Sequence, residues 1–195
     1  MLAIEEVLKA RLKGIAEVIY DSDLIAEYLN SPEGFDSTIT CVVKPLTIGA
    51  IESILDIANH SEEIAIPAFA IHPLSTGRNW GYGSSVPIEG SKSNVILDLS
   101  SLDNITYFDQ ENGIVSLQPG VTQQQLFDYL QRNNQPYMVP VTGAGPTTSI
   151  LSNALERGYG ITPIADHFTS VMSIKGFLAD GSFYQSSLQC MSDMA

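Results

Sequence analysis

The feature that most constrains what this chain can fold into is an alternation that runs twice: β-branched apolar runs, an amphipathic stretch, and then a glycine-rich loop. The first pass begins at Thr38 with "TITCVV", passes Pro45 and enters "TIGAIESILDIANH". There Ile48, Ile51, Ile54, Leu55 and Ala58 form a helical stripe behind a Thr47 N-cap. "EIAIP" and "AIHPLS" then read as strands, so a β-α-β unit runs into the loop "STGRNWGYG". The second pass, Val95 to Tyr137, offers "VILDL", "NITYFD" and "GIVSLQPG", a helix in "TQQQLFDYLQRNN", and then "YMVPV". Thr122 and Gln125 are spaced as a capping box at that helix start. A second glycine-rich loop follows, "TGAGPTTSILSNALERGYG", entering a short helix through Thr147 or Thr148, with Gly158 as its expected end.

Outside these passes, Ile4, Val7, Leu8, Leu12, Ile15, Val18 and Ile19 recur at three and four and predict one amphipathic helix. A second short helix is expected from Asp21 or Ser22 to "NSPEG". "SVMSIKGFLADGSFYQSS" predicts two strands about a turn at Asp180-Gly181, and "LQCMSDMA" has no pattern.

Composition narrows the function. With 195 residues, 44% of them apolar, the chain can bury a real core. Its 9 basic and 22 acidic residues, a net charge of −13, argue against nucleic acid, which demands concentrated Lys and Arg. An anionic ligand is still open to it through backbone N–H groups. Cys41 and Cys190 make neither a metal spacing nor a disulfide framework, and no metal site is expected. "MLAIEEVLKARLKG" has no continuous apolar core, so it reads as neither signal peptide nor membrane span, and a cytoplasmic setting is the expectation.

Glycine lets backbone turn tightly and present N–H groups at close range, so two such loops suggest a phosphate-bearing ligand. Either loop alone would be read as an ordinary tight turn. "GAGPTTS" lacks the third glycine of a dinucleotide fingerprint and "GRNWGYG" precedes no convincing helix, so a nicotinamide-binding domain is only a fallback. Arg78 is the one basic residue of the first loop, suited to phosphate or to a surface carboxylate. Hydrogen bonds to charged groups are worth roughly 1.5 to 3 kcal/mol each, so three or four suffice for the ~8 kcal/mol of micromolar binding. Trp80 and Tyr82 could flank a flat ligand or pin the loop to the core. Asp166 and His167 invite an acid/base reading, but adjacent side chains point apart and no third partner is identifiable, which favours loop anchoring. His72 reads as a strand histidine and His60 as a helix-terminal one.

Four stretches carry a family resemblance: "VVKPLTIGAIESIL", "STGRNWGYG", "VILDLSSLDNI...GIVSLQPGVTQQQLFDYL" and "GAGPTTSILSNALERGYGITPIADHF". From about Thr38 onward they resemble the FAD-binding domain of the vanillyl-alcohol oxidase and para-cresol methylhydroxylase flavoproteins. The block "NALERGYGITPIADH" is similar to the branch that oxidises para-substituted phenols. The resemblance implies an α+β fold of two subdomains, a small β-α-β one and a larger mixed or antiparallel sheet with helices, with FAD extended between them. It implies an FAD-binding domain over 37–195, incomplete at its C-terminal end and without the substrate-binding cap; the N-terminal helical segment read over 1–36 precedes that domain.

By the same resemblance Thr76, Gly77, Arg78, Asn79, Gly81, Tyr82 and Gly83 face the FAD diphosphate from one side. Gly143, Ala144, Gly145, Ser149 and Asn153 face it from the other, the Pro119-Gly120 turn lies along the cofactor, and Asp166 and His167 lie near it. No catalytic residue is identified. Asn79 stands where many relatives carry a flavin-linking histidine, so FAD is expected to be held non-covalently. The implied activity is that of a flavin-dependent oxidoreductase, passing hydride from a para-substituted phenol or related alcohol to FAD. The alternative is a non-catalytic FAD-binding remnant or subunit. Sheet edges left bare would favour a second copy or a partner chain.

Overall fold

A computed structural model describes residues 2–28, 38–78, 87, 93–160 and 165–186. Helix α1, Ile4–Arg11, and strand β1, Ala16–Ile19, divide the segment that its spacing predicts as one helix. Between them Gly14 adopts φ +84°, a left-handed conformation that turns the chain out of helix, and Ile15, Val18 and Ile19 continue in or beside a strand instead. Helix α2, Ser22–Tyr28, starts at an Asp21 carboxylate that accepts the N–H groups of Asp23 and Leu24 at 3.0 and 3.3 Å. The expected "NSPEG" stop lies outside the described residues.

Strand β2, Ile39–Pro45, leads to α3, Ile48–Asn59, whose Thr47 hydroxyl accepts the Ala50 N–H at 3.3 Å, as its sequence predicts. Strand β3, Phe69–Leu74, follows, but "EIAIP" is a series of turns with Ala65 at φ +57°, not a strand. Its N–H groups are spent locally, Ile66 N–H on Ser61 O and Ala65 N–H on Glu62 O, and so are unavailable to a sheet. Strand β4, Ser93–Asp98, inserts between β2 and β3, parallel to both, and β1 joins β2 antiparallel. The sheet order is thus β1-β2-β4-β3, and the β-α-β unit is split by its third strand.

The central strand reads "SNVILD" because both of its faces are covered, so apolar residues run continuously rather than alternating. On one face Val95 and Leu97 pack with Ile4, Leu8, Leu12, Cys41, Val43, Ile54 and Ile57; on the other, Ile96 meets Val42 and Ile25. Residues 2–28 therefore contribute both to the sheet and to its core.

Strands β5, Ile105–Asp109, and β6, Ile114–Leu117, form an antiparallel pair. They share a second core with α4, Gln123–Arg132, through Val121, Leu126 and Leu130. The capping box is complete: Thr122 Oγ1 accepts the Gln125 N–H at 3.2 Å, and Gln125 Oε1 accepts the Thr122 N–H at 2.8 Å. "YMVPV" forms no strand; Tyr137 instead reaches back to donate its hydroxyl to Gln110 O and stacks edge-on against Phe108. Helix α5, Ile150–Leu155, a short 3-10 helix at His167–Ser170, and an antiparallel hairpin of β7, Lys175–Phe177, and β8, Phe183–Gln185, complete the fold. The hairpin turns at Asp180-Gly181 as expected, with Gly181 at φ +84°.

Candidate cofactor site

Parallel strands present their C-terminal ends as the place where ligand-binding loops gather. Here β3 ends at Leu74 and continues directly into the first glycine loop, whose described part is residues 75–78. Three of the stretches expected at the site converge on one atom, the carbonyl oxygen of Pro119. The Ser75 hydroxyl donates to it from the first loop, and the Ser149 hydroxyl donates to it at 2.6 Å from the second. The Ser149 N–H also donates to Thr76 Oγ1 at 3.2 Å, closing the ring.

Behind this junction Gly120 is packed against a turn. Its N–H donates to Leu102 O at 2.7 Å, and a Cβ there would lie 2.8 Å from the same oxygen and closer still to Ser100 O. Only glycine fits that approach.

The second loop is tied to α4 by a buried glutamine. Gln123 Nε2 donates to Thr142 Oγ1 at 3.1 Å, and its Oε1 accepts the Thr142 N–H at 3.3 Å. Backbone bonds from Gln123 N to Thr148 O and from Gln124 N to Pro146 O fix the far end. Between these anchors Gly143 is exposed and Gly145 sits at φ +95° with open space where a side chain would project. The N–H groups of Ala144 and Gly145 make long bonds within the loop, 3.3 and 3.4 Å to Thr142, which a charged acceptor can outcompete.

Ser149, not Thr147 or Thr148, is the N-cap of α5, its Oγ accepting the Ser152 N–H at 3.1 Å. The structure thus places Ser149 beneath the loop, only 1% exposed, its polar atoms engaged with protein. Thr148 is freed by that assignment: its Oγ1 is buried and has no hydrogen-bond partner among the described residues. An orphaned hydroxyl beside an open glycine is chemically suited to a phosphate oxygen, which accepts what the hydroxyl donates.

A second cluster hangs from the other end of α5. Asn153, one turn beyond Ser149, brings its Oδ1 to 2.6 Å from His167 Nδ1. An amide oxygen only accepts, so Nδ1 carries the hydrogen and the neutral ring leaves Nε2 as an acceptor. Burial lowers the His167 pKa, opposed by the adjacent Asp166 charge. Gly160 presses on the ring and on the second loop's approach, since a Cβ at 160 would sit 2.9 Å from Val141 O and against His167 Nε2.

Asp166 caps the 3-10 helix, Oδ1 accepting the Phe168 N–H at 3.0 Å, while Oδ2 pairs with Arg157 at 3.2 Å. These bonds agree with loop anchoring for both residues. Helix α5 does end before Gly158, but the left-handed residue is Arg157, at φ +57°. Its N–H bonds Ala154 O and that of Gly158 bonds Asn153 O, a Schellman ending with arginine in the usual glycine place. Gly158 is needed for space instead, because a Cβ there would strike the Asn153 amide.

Of the residues expected around FAD, the structure gathers Thr76, Pro119, Gly120 and Ser149 directly, with Gly143, Ala144 and Gly145 in the adjoining loop. Gly77 and Arg78 are exposed at the first loop, and Arg78 pairs with no carboxylate among the described residues. Asn153, Asp166 and His167 form their own cluster. Asn79, Gly81, Tyr82 and Gly83, like Trp80, lie outside the described residues. Ser75, Gln123, Thr142 and Thr148 join the site without a cofactor role in the sequence reading; for Ser75, Thr142 and Thr148 a position flanking a glycine loop is the available signal, and Gln123 in α4 has none. Among the described residues, no helix is long and apolar enough to cross a membrane.

A family model described as an FAD binding domain matches residues 39–187. The flavoprotein subunit of 4-cresol dehydrogenase (hydroxylating) from Pseudomonas putida is 30% identical over 91% of this chain and 33% of its own length. A 1'-carboxy-chondrochloren decarboxylase from Chondromyces crocatus is 32% identical over 86% of this chain and 30% of its own. The crystal structure of p-cresol methylhydroxylase with substrate bound superposes with a TM-score of 0.78 at 30% identity, covering 88% of this chain and 32% of that one. The chain spans about a third of the length of these relatives.

Proposed function

The chain belongs to the FAD-binding-domain family, and from that premise we propose that residues 75–78 and 142–148 hold the diphosphate of a non-covalently bound FAD, with the Pro119-Gly120 turn lying along the cofactor. The observation that carries this reading is the junction at Pro119 O, where both glycine loops are stitched to one turn, with the orphaned Thr148 hydroxyl beside it. The junction fixes the spacing of the loops before a ligand arrives, which reduces the ordering cost of binding. In a chain of net charge −13, the diphosphate is matched locally by loop N–H groups, the Thr148 hydroxyl and the Arg78 guanidinium. The Asn153–His167 pair and Asp166 brace the loop from behind.

FAD supplies hydride acceptance when bound. In the whole protein we assign that chemistry to oxidation of a para-substituted phenol or related alcohol, on the strength of the 4-cresol dehydrogenase and p-cresol methylhydroxylase likenesses. The Pseudomonas putida relative is a flavoprotein subunit, which favours a second reading: an FAD-binding module that works with a partner chain.

Purified protein mixed with FAD and desalted is expected to retain visible flavin absorbance and to melt at higher temperature than the FAD-free protein. A colourless product with an unchanged melting temperature would contradict the reading. Acid precipitation separates the two modes of attachment: flavin released into the supernatant supports non-covalent binding, and flavin retained in the pellet contradicts it.

A further inference from the structure

Asp98, the last residue of β4, is buried and charged, and a buried carboxylate must be bonded on all sides. Its Oδ1 accepts the Ser100 N–H at 2.8 Å, turning the chain immediately after the strand. Its Oδ2 accepts the Tyr28 hydroxyl at 2.7 Å and lies 3.5 Å from Lys44 Nζ. The turn it organises is held on its other side as well, by Leu99 N–H to Leu74 O at 2.7 Å and Leu102 N–H to Leu99 O at 3.0 Å. That turn is the wall on which Gly120 is seated, through Ser100 O and Leu102 O. Gly120 in turn sets Pro119, whose carbonyl gathers Ser75 and Ser149.

Resting on the flavin-site reading, we propose that Asp98 is a positioning residue of the FAD site, held by Tyr28 and Lys44, which sets the Pro119 junction by fixing the 99–102 turn. Asp98 itself does not touch the ligand; it determines where the turn carbonyls stand and hence where both loops meet. Tyr28 lies outside the stretch matched by the family model, so helix α2, which carries no chemistry of its own, becomes a support of the cofactor site. Burial and then the Asp98 bond push the Tyr28 hydroxyl above its ordinary range, so it stays a donor throughout the range in which the protein is handled.

The test compares Tyr28→Phe, which removes one hydroxyl, with Ile25→Val, which loosens the packing of the same helix without touching Asp98. Amide hydrogen exchange is read at Ser100, Gly120 and Ser149, with α4 as reference. The relay predicts faster exchange at these three amides in Tyr28→Phe and not in Ile25→Val, and an FAD Kd raised about tenfold, the factor of one charge-assisted hydrogen bond. It also predicts that the visible circular dichroism of bound FAD changes only in Tyr28→Phe. Unchanged exchange at Gly120 and Ser149, or equal effects of the two variants, would overturn it. Should the wild-type chain bind no FAD, the flavin-site reading fails, and the exchange measurement alone decides the relay.

Discussion

Thr148 separates the cost of a site from its use. Its hydroxyl is buried without a partner among the described residues, a state that costs a protein roughly 1 to 3 kcal/mol. Thr148→Val replaces that hydroxyl with a methyl of similar size. FAD-free protein carrying it is expected to melt at higher temperature, while FAD binds more weakly; calorimetric melting and an FAD titration check the two halves. His167 shows the same economy through pH. Its folded pKa is lowered by burial, so the unfolded chain takes up the proton first. Stability contributed by the neutral ring is present above about 6.5, the ordinary value, and is lost as pH falls below it. His60 acts with the opposite sign, because its pKa is raised by its bonds to Asp56. Urea midpoints measured between pH 5 and 8 in wild type and His167→Gln isolate the first effect: the variant is expected to lose less stability on acidification.

Elements were legible where a side chain announces its own boundary. The capping box of α4 carries its signal in four residues, and Thr122→Ala is expected to lower stability by about 1 kcal/mol in denaturant unfolding. Ser149→Ala should cost more, about 2 kcal/mol, because that hydroxyl serves two bonds, as N-cap and to Pro119 O. Equal losses would contradict the junction. The α5 cap lies one or two residues beyond the Thr147 or Thr148 that the sequence suggests, because all three residues are good caps and the tertiary bond of Ser149 to Pro119 selects among them. The N-terminal helix was overextended because Ile15, Val18 and Ile19 fit a helical spacing as well as a strand face, and a single left-handed glycine decides between them. "EIAIP" and "YMVPV" are apolar enough for strands, but the first spends backbone N–H groups in local turns and the second is tied across the chain by Tyr137 to Gln110. Strand order, with β4 between β2 and β3, has no local signal at all; it follows from the core that all three strands and α3 share.

The α+β fold expected from the sequence is the one observed, and the glycine loops, which no residue spacing could bring together, meet because the sheet delivers one and α4 anchors the other. What remained illegible was the support: Tyr28, Asp98 and the 99–102 turn act through three-dimensional neighbours, not through any motif. The central claim is that the joined loops recognise a diphosphate, and it is tested most directly by titrating the protein with FAD and with riboflavin, which carries the same ring system without phosphate. Two or three charge-assisted hydrogen bonds at roughly 1.5 to 3 kcal/mol each predict saturable one-to-one binding of FAD at least about a hundredfold tighter than riboflavin. Equal affinities, or no saturable binding of FAD, would contradict it.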